Sequence, residues 1–96
     1  MTPFGGRLAS QRTTALFKSN DLEVIRLVLR AGEAFPTHSV NGEITLQCIE
    51  GRLEVNSEGH SQTLAPGQLL YLLGKTPHSV SALSDASALL TIVVRK

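Results

Sequence analysis

Apolar residues fall in short runs along this chain, and turn-forming residues punctuate them at close intervals. Leu22-Glu-Val-Ile-Arg-Leu-Val-Leu-Arg30 is β-branched and apolar, broken by Glu23 and Arg26, and it stops at Ala31-Gly32. Its period admits a helix, but Val24, Ile25 and Val28 favour a largely buried strand. Ile44 to Ile49 runs into Glu50-Gly51-Arg52, a tight-hairpin signal, and Leu53-Glu-Val55 follows. Asn56-Ser-Glu-Gly59 and Ala65-Pro66-Gly67 are further turns, in which Pro presets φ and Gly tolerates positive φ. Between and beyond them lie Ser61 to Leu64, Gln68 to Leu73, His78 to Leu83 and Ala88 to Val94. Many short strands with no convincing amphipathic helix predict an all-β sandwich or barrel, read here as a small β-barrel.

Residues 1 to 14, rich in Gly, Thr, Ser, Gln and Arg, read as a loose arm or an edge strand, and residues 22 to 94 as the barrel core. A chain of 96 residues makes one domain, taken as 1 to 96. So short a chain buries a modest share of its surface, which makes a homodimer the expected source of added stability.

Composition removes several classes of function. Hydrophobic content of 42% and charged content of 18% suit a soluble globular chain. The net charge is +1 and the basic residues are scattered, so nucleic acid is not expected as a partner. No apolar run has the length of a membrane span, and the first residues lack the apolar stretch of a secretory signal. Cys48 stands alone, which excludes an internal disulfide and suits a reducing compartment. The expected location is the cytoplasm.

Two glycine-framed segments carry the candidate chemistry. The first runs Gly32-Glu-Ala-Phe-Pro-Thr-His38-Ser-Val40-Asn-Gly-Glu43-Ile44 and continues to Gly51; the second runs Pro66-Gly67-Gln-Leu-Leu-Tyr-Leu-Leu73-Gly74-Lys-Thr-Pro77-His78. Their spacings resemble the two motifs of the cupin superfamily, from Gly32 to about Ala82. The 15 residues between Gly51 and Gly67 are similar to the intermotif segment of compact bacterial members. The resemblance implies an RmlC-like jelly roll, the double-stranded β-helix barrel of antiparallel sheets, often dimeric. In metal-binding members, three His and one Glu hold Fe, Mn, Zn, Ni or Cu at the open mouth. His38 and His78 match two of those ligand positions. The second His position is occupied by Val40 and the Glu position by Ile44; Leu73 replaces a usual Pro, and Ala82 a late Asn. Two neutral imidazoles fall short of the three or four protein ligands of a stable site. The expectation is therefore no certain cofactor, or at most a weakly held Zn, Ni, Fe or Mn on His38 and His78.

Alternation of strand side chains proposes the lining. With His38 inward, Val40, Ile44, Leu46 and Cys48 share its face, and in the second motif Val80 and Ala82 share parity with His78. An apolar cavity with two convergent imidazoles has the composition of a small-molecule site. Glu43 has the opposite parity to Ile44 and reads as a surface residue unless a bulge at Asn41-Gly42 turns it inward. Cys48 reads as a buried hydrophobe, Gln47 as a sheet-surface or subunit-contact residue and Tyr71 as a packed barrel aromatic. His60 reads as an exposed turn residue, and Pro77 as shaping the turn before His78.

Three functions compete. The leading one is a binding module that takes a small organic ligand on His38, His78, Val40, Ile44, Leu46, Cys48 and Val80. The second is an enzyme, either a metal-dependent oxygenase or isomerase with a two-His site, or a metal-free one with a His as general acid or base. The third is a non-catalytic interaction protein whose barrel presents a dimer surface.

Overall fold

A computed structural model describes residues 12–94. They form β1 (Thr14–Lys18), β2 (Leu22–Leu29), β3 (Ala34–His38), β4 (Ile44–Glu50), β5 (Leu53–Ser57), β6 (His60–Leu64), β7 (Leu69–Leu72), β8 (His78–Ala82) and β9 (Ala86–Val93). No helix occurs among the described residues, and so none long and apolar enough to cross a membrane. The strands make two sheets, ordered β1-β2-β9-β4-β7 and β3-β8-β5-β6, with every recorded pairing antiparallel. From β2 onward the chain crosses repeatedly from one sheet to the other, which is the path of a double-stranded β-helix. The expected all-β jelly roll is the observed fold.

Seven expected strands are present with ends moved by a few residues; β1 and β3 were not visible in the pattern. Both are edge strands. One face of each lies open, so β1 has a single half-buried residue and β3 only Phe35. Without burial there is no apolar alternation to read. The arm expected over residues 1 to 14 falls mostly outside the described residues, and the barrel starts at Thr14 rather than near Leu22.

Alternation does fix the core where strands are central. Ile44, Leu46 and Cys48 of β4 are buried while Thr45, Gln47 and Ile49 are half-buried. The register sets Ile44 opposite Ile92, Leu46 opposite Leu90 and Cys48 opposite Ala88, so inward residues of β4 and β9 form one surface. The facing sheet answers with Leu53 opposite both Leu64 and Ala82, and Val55 opposite Val80.

The two ends of the barrel differ. At one, Leu29, Cys48, Leu53, Leu64, Ala82, Ala86 and Ala88 pack into a closed core, where Cys48, Ala86 and Ala88 have no exposed surface. Small side chains on β4 and β9 let the sheets close there. Towards the other end, Ile25, Phe35, Leu70 and Leu90 are only partly buried. Two motif glycines mark close backbone approaches. A Cβ at Gly51, which has φ of 73°, would lie 2.1 Å from the carbonyl oxygen of Asp85, and one at Gly74 would lie 2.2 Å from that of Asn41. The backbone N–H of Lys75 donates to the carbonyl of Val40 at 2.7 Å, tying the loops before β4 and before β8 together. These glycines hold the fold rather than perform chemistry.

Candidate functional site

His38 closes β3, His78 opens β8, and the two are direct cross-strand partners. A bulge makes this possible. Phe35 pairs with Val80 and His38 with His78, so β3 spends one residue more than β8 over the same span, at Pro36-Thr37. In a regular strand, residues three apart face opposite sides; the extra residue returns His38 to the face of Phe35. Pro36 is tolerated because β3 is an edge. The imidazole centroids lie 4.7 Å apart with their planes at 49°.

The two rings differ in freedom. His38 is exposed, whereas His78 is 4% exposed. His78 Nδ1 lies 3.0 Å from the carbonyl oxygen of Thr76. A carbonyl can only accept, so Nδ1 carries the proton and Nε2 of the neutral ring keeps its lone pair. The loop before His78 is itself pinned, because Ser57 Oγ donates to the carbonyl of Pro77 at 2.9 Å.

Beside the histidines is a cavity of about 240 Å³. The five-stranded sheet contributes Ile25 and Leu27 from β2, Ile44 and Leu46 from β4, Leu70 and Leu72 from β7, and Leu90 and Ile92 from β9. The facing sheet contributes Phe35, Val55 and Val80 beside the two imidazoles, and Thr13 completes the wall. Among the described residues no charged side chain lines it. Its polar side chains are His38, His78 and Thr13, and the hydroxyl of Thr13 is occupied by the backbone of Val28.

Of the residues expected in the lining, His38, His78, Ile44, Leu46 and Val80 come together. Val40 and Cys48 do not. Val40 lies in the loop after β3 and borders a separate surface depression with Ser39, Asn41 and Gly42. Strand parity does not propagate through that loop, which is why counting from His38 misplaced it. Cys48 has the right parity but sits in the closed end, its Sγ 3.5 and 3.4 Å from the carbonyl oxygens of Glu50 and Gly51. Burial pushes its thiol pKa up, and the nearby charge of Arg52 offsets only part of that. Ala82 likewise belongs to the closed core.

Glu43 stays off the cavity, as its parity required, but it is half-buried and accepts a hydrogen bond from the Tyr71 hydroxyl. Tyr71, read as a packed aromatic, is instead half-exposed on the outer face, opposite Thr45 in the register. Its inward neighbours Leu70 and Leu72 line the cavity in its place. The bond to Glu43 is the main reason the Tyr71 phenol is held above its ordinary pKa, with desolvation and the Glu43 charge adding to it. His60, read as a turn residue, opens β6 opposite Ser57. The lining residues from β2 and β9 were missed because the motifs do not reach those strands; Leu70 and Leu72 of β7 lie inside the second motif, but parity counted from His78 does not carry back through the loop at 73–77. Alternation within those runs, paired with β4, is the signal that finds them.

A closed β-helix end, an open end and a paired-histidine cavity define a jelly-roll barrel with a mouth site. The chain belongs to the cupin domain family, whose model matches residues 25–94. No curated protein sequence matches it. Among solved structures it is similar to an RmlC-like cupin from Desulfovibrio desulfuricans, at 27% identity over 94% of this chain and 90% of that one, with a TM-score of 0.79. An RmlC-like cupin with a double-stranded β-helix fold from Methanocaldococcus jannaschii superposes with a TM-score of 0.85 at 16% identity, covering 95% and 86%. A salicylate 1,2-dioxygenase variant from Pseudoaminobacter salicylatoxidans shares the fold at 23% identity and a TM-score of 0.72, over 76% of this chain and 21% of that one.

Metals are common in this family, so the donor set needs testing. Among the described residues no three or more His, Cys, Asp or Glu side chains gather to hold a cation. Ile44 and Leu72, paired in the register, are apolar wall beside the histidines. Two imidazoles without a carboxylate do not fit a firmly held divalent ion.

Proposed function

We propose that this cupin barrel is a binding module for a small, uncharged organic molecule whose part inside the barrel is apolar, oriented by His38 and His78. The observation that carries this is the pair of imidazoles, 4.7 Å apart, on an aliphatic cavity of about 240 Å³. Small-molecule sites are usually larger, from about 300 Å³ upward, so the ligand part held here is small. Burying about 150 Å² of apolar ligand surface supplies about 4 kcal/mol, which alone matches only millimolar affinity. Hydrogen bonds to the imidazoles, each worth about 1 kcal/mol net, are what raise it and give selectivity. His78 offers a lone pair at Nε2, so a ligand hydroxyl or N–H is its natural partner.

Thermal-shift screening of uncharged metabolites tests this. A ligand at a hundredfold its dissociation constant stabilises by about 2.7 kcal/mol, and the shift is lost in a His38→Ala, His78→Ala variant. Absence of any shift from a broad library sinks the reading.

One observation favours a second reading, an enzyme. A histidine with Nδ1 fixed by a carbonyl and Nε2 free is arranged as a metal ligand or a general base. Metal analysis of protein purified without chelator separates it from the first. Stoichiometric metal that disappears in the double-histidine variant selects the enzyme.

The proposal includes a homodimer. Phe17, Leu22, Leu69 and Tyr71 expose apolar surface on the outer face of the five-stranded sheet, the side away from the cavity. Covering it with a second copy supplies burial that a short chain lacks. The pure interaction-protein reading is weaker, because its mark would be a filled interior.

A further inference from the structure

The histidine cavity has a neighbour. A second cleft of about 530 Å³ borders Ser57, Glu58, His60, Gln62 and Thr76, with Tyr71 and Leu73 also in its lining, and it shares the walls Val55, Leu70 and Leu72 with the first. Its position follows from topology. β6 and β7 each end a sheet, and neither pairs with the other. The turn at 65–68 holds them close where Leu64 is buried; they are free to diverge towards His60 and Leu72, leaving a seam in the barrel wall.

Register makes one row of the two sites. His38 pairs with His78 and Ser57 with His60. Between them, the β5–β8 pairing of Val55 with Val80 and Asn56 with Ser79 carries Ser57 to the position beside His78. One row of polar side chains therefore crosses the four-stranded sheet from edge to edge. The barrel cavity takes its first half and the seam its second. His60 and Gln62 occupy alternate positions of β6 and border this seam.

We infer that the seam between β6 and β7 is a second subsite, which receives an uncharged, hydroxylated head of the ligand whose apolar body lies in the barrel. This rests on the binding reading above. The lining sets the chemistry of the head. Gln62 both donates and accepts, and Ser57 Oγ, its proton given to Pro77, is left as an acceptor. Glu58 is an acceptor carrying negative charge, which disfavours a carboxylate or phosphate there and favours hydroxyl groups. Leu70, Leu72 and Val55 give an apolar passage between body and head. The occupant is an amphiphile, short in its apolar part and rich in hydroxyls at the other end.

Calorimetric titration with 1-hexanol, hexyl glucoside and hexanoate tests this on the full chain. The glucoside is expected to bind about tenfold more tightly than hexanol, the yield of one or two net hydrogen bonds. Hexanoate gains nothing. In a His60→Ala, Gln62→Leu variant, whose substitutions lie at exposed positions, the glucoside falls to the affinity of hexanol while hexanol itself is unchanged. Hexanol binding with no advantage for the glucoside, an advantage that survives in the variant, or tighter binding of hexanoate than of glucoside each overturns the subsite and leaves the barrel reading standing. Failure of all three probes to bind overturns both.

Discussion

Gly51 and Gly32 share a positive φ but not an environment, and they separate two roles of glycine in the same motif. Both sit in the left-handed region, which costs another residue about 1–2 kcal/mol. A Cβ at Gly32 meets nothing within 4 Å, whereas one at Gly51 meets Asp85 backbone. Gly51→Ala is expected to cost at least about 2 kcal/mol, a fall in Tm of roughly 8 °C or more, and Gly32→Ala clearly less. Thermal melts of the two variants check the order. Cys48 belongs to the same scale. Its thiol is wholly buried and its pKa is raised, so at neutral pH a thiol reagent should modify the native protein far more slowly than the denatured chain. Reaction at equal rates would place Cys48 elsewhere.

At the scale of elements, the barrel has a tight end and a loose one. Leu53 is 1% exposed in the closed core, while Leu72 is half-buried at the cavity. Removing a buried leucine side chain costs about 2–5 kcal/mol, and the cost follows the unfilled space created. Leu53→Ala should fall at the upper end and Leu72→Ala at or below the lower, as read from denaturant midpoints. The bulge in β3 is an element-level device as well. It puts His38 opposite His78, although simple alternation from Phe35 would have turned it to the other face, and nothing in the spacing of the motif announces that bulge. Ser57→Ala removes the bond from β5 to the loop before His78, a loss of about 1 kcal/mol, and should loosen His78 without unfolding the sheet.

For the molecule as a whole, pH dependence has a definite sign. Tyr71 and Cys48 both hold their protons more tightly folded than unfolded, the first chiefly through Glu43 and the second through burial. Their contribution to stability is intact below their ordinary pKa values and declines as pH rises past them. Tm should therefore fall on the alkaline side, and Tyr71→Phe should flatten that fall; an unchanged alkaline slope would remove Tyr71 from the account. Light scattering at micromolar concentration tests the dimer, with a monomer counting against the outer-face contact.

Turn chemistry and strand runs determined a small all-β barrel and its central strands, because these are local rules that the folded chain obeys residue by residue; the jelly roll and the sharing of one site by His38 and His78 rested on the resemblance of the motif spacing to the cupin family. The missing ligands at Val40 and Ile44 were equally legible, since a side chain that cannot donate needs no structure to be excluded. Tertiary structure alone decided which of the inward residues border empty space and which are packed solid. Ile44 and Cys48 have the same parity on one strand, yet one faces the cavity and the other the closed core. Parity fixes a face but not a depth. Depth depends on how closely the opposite sheet approaches, and that is set by partners far away in the chain.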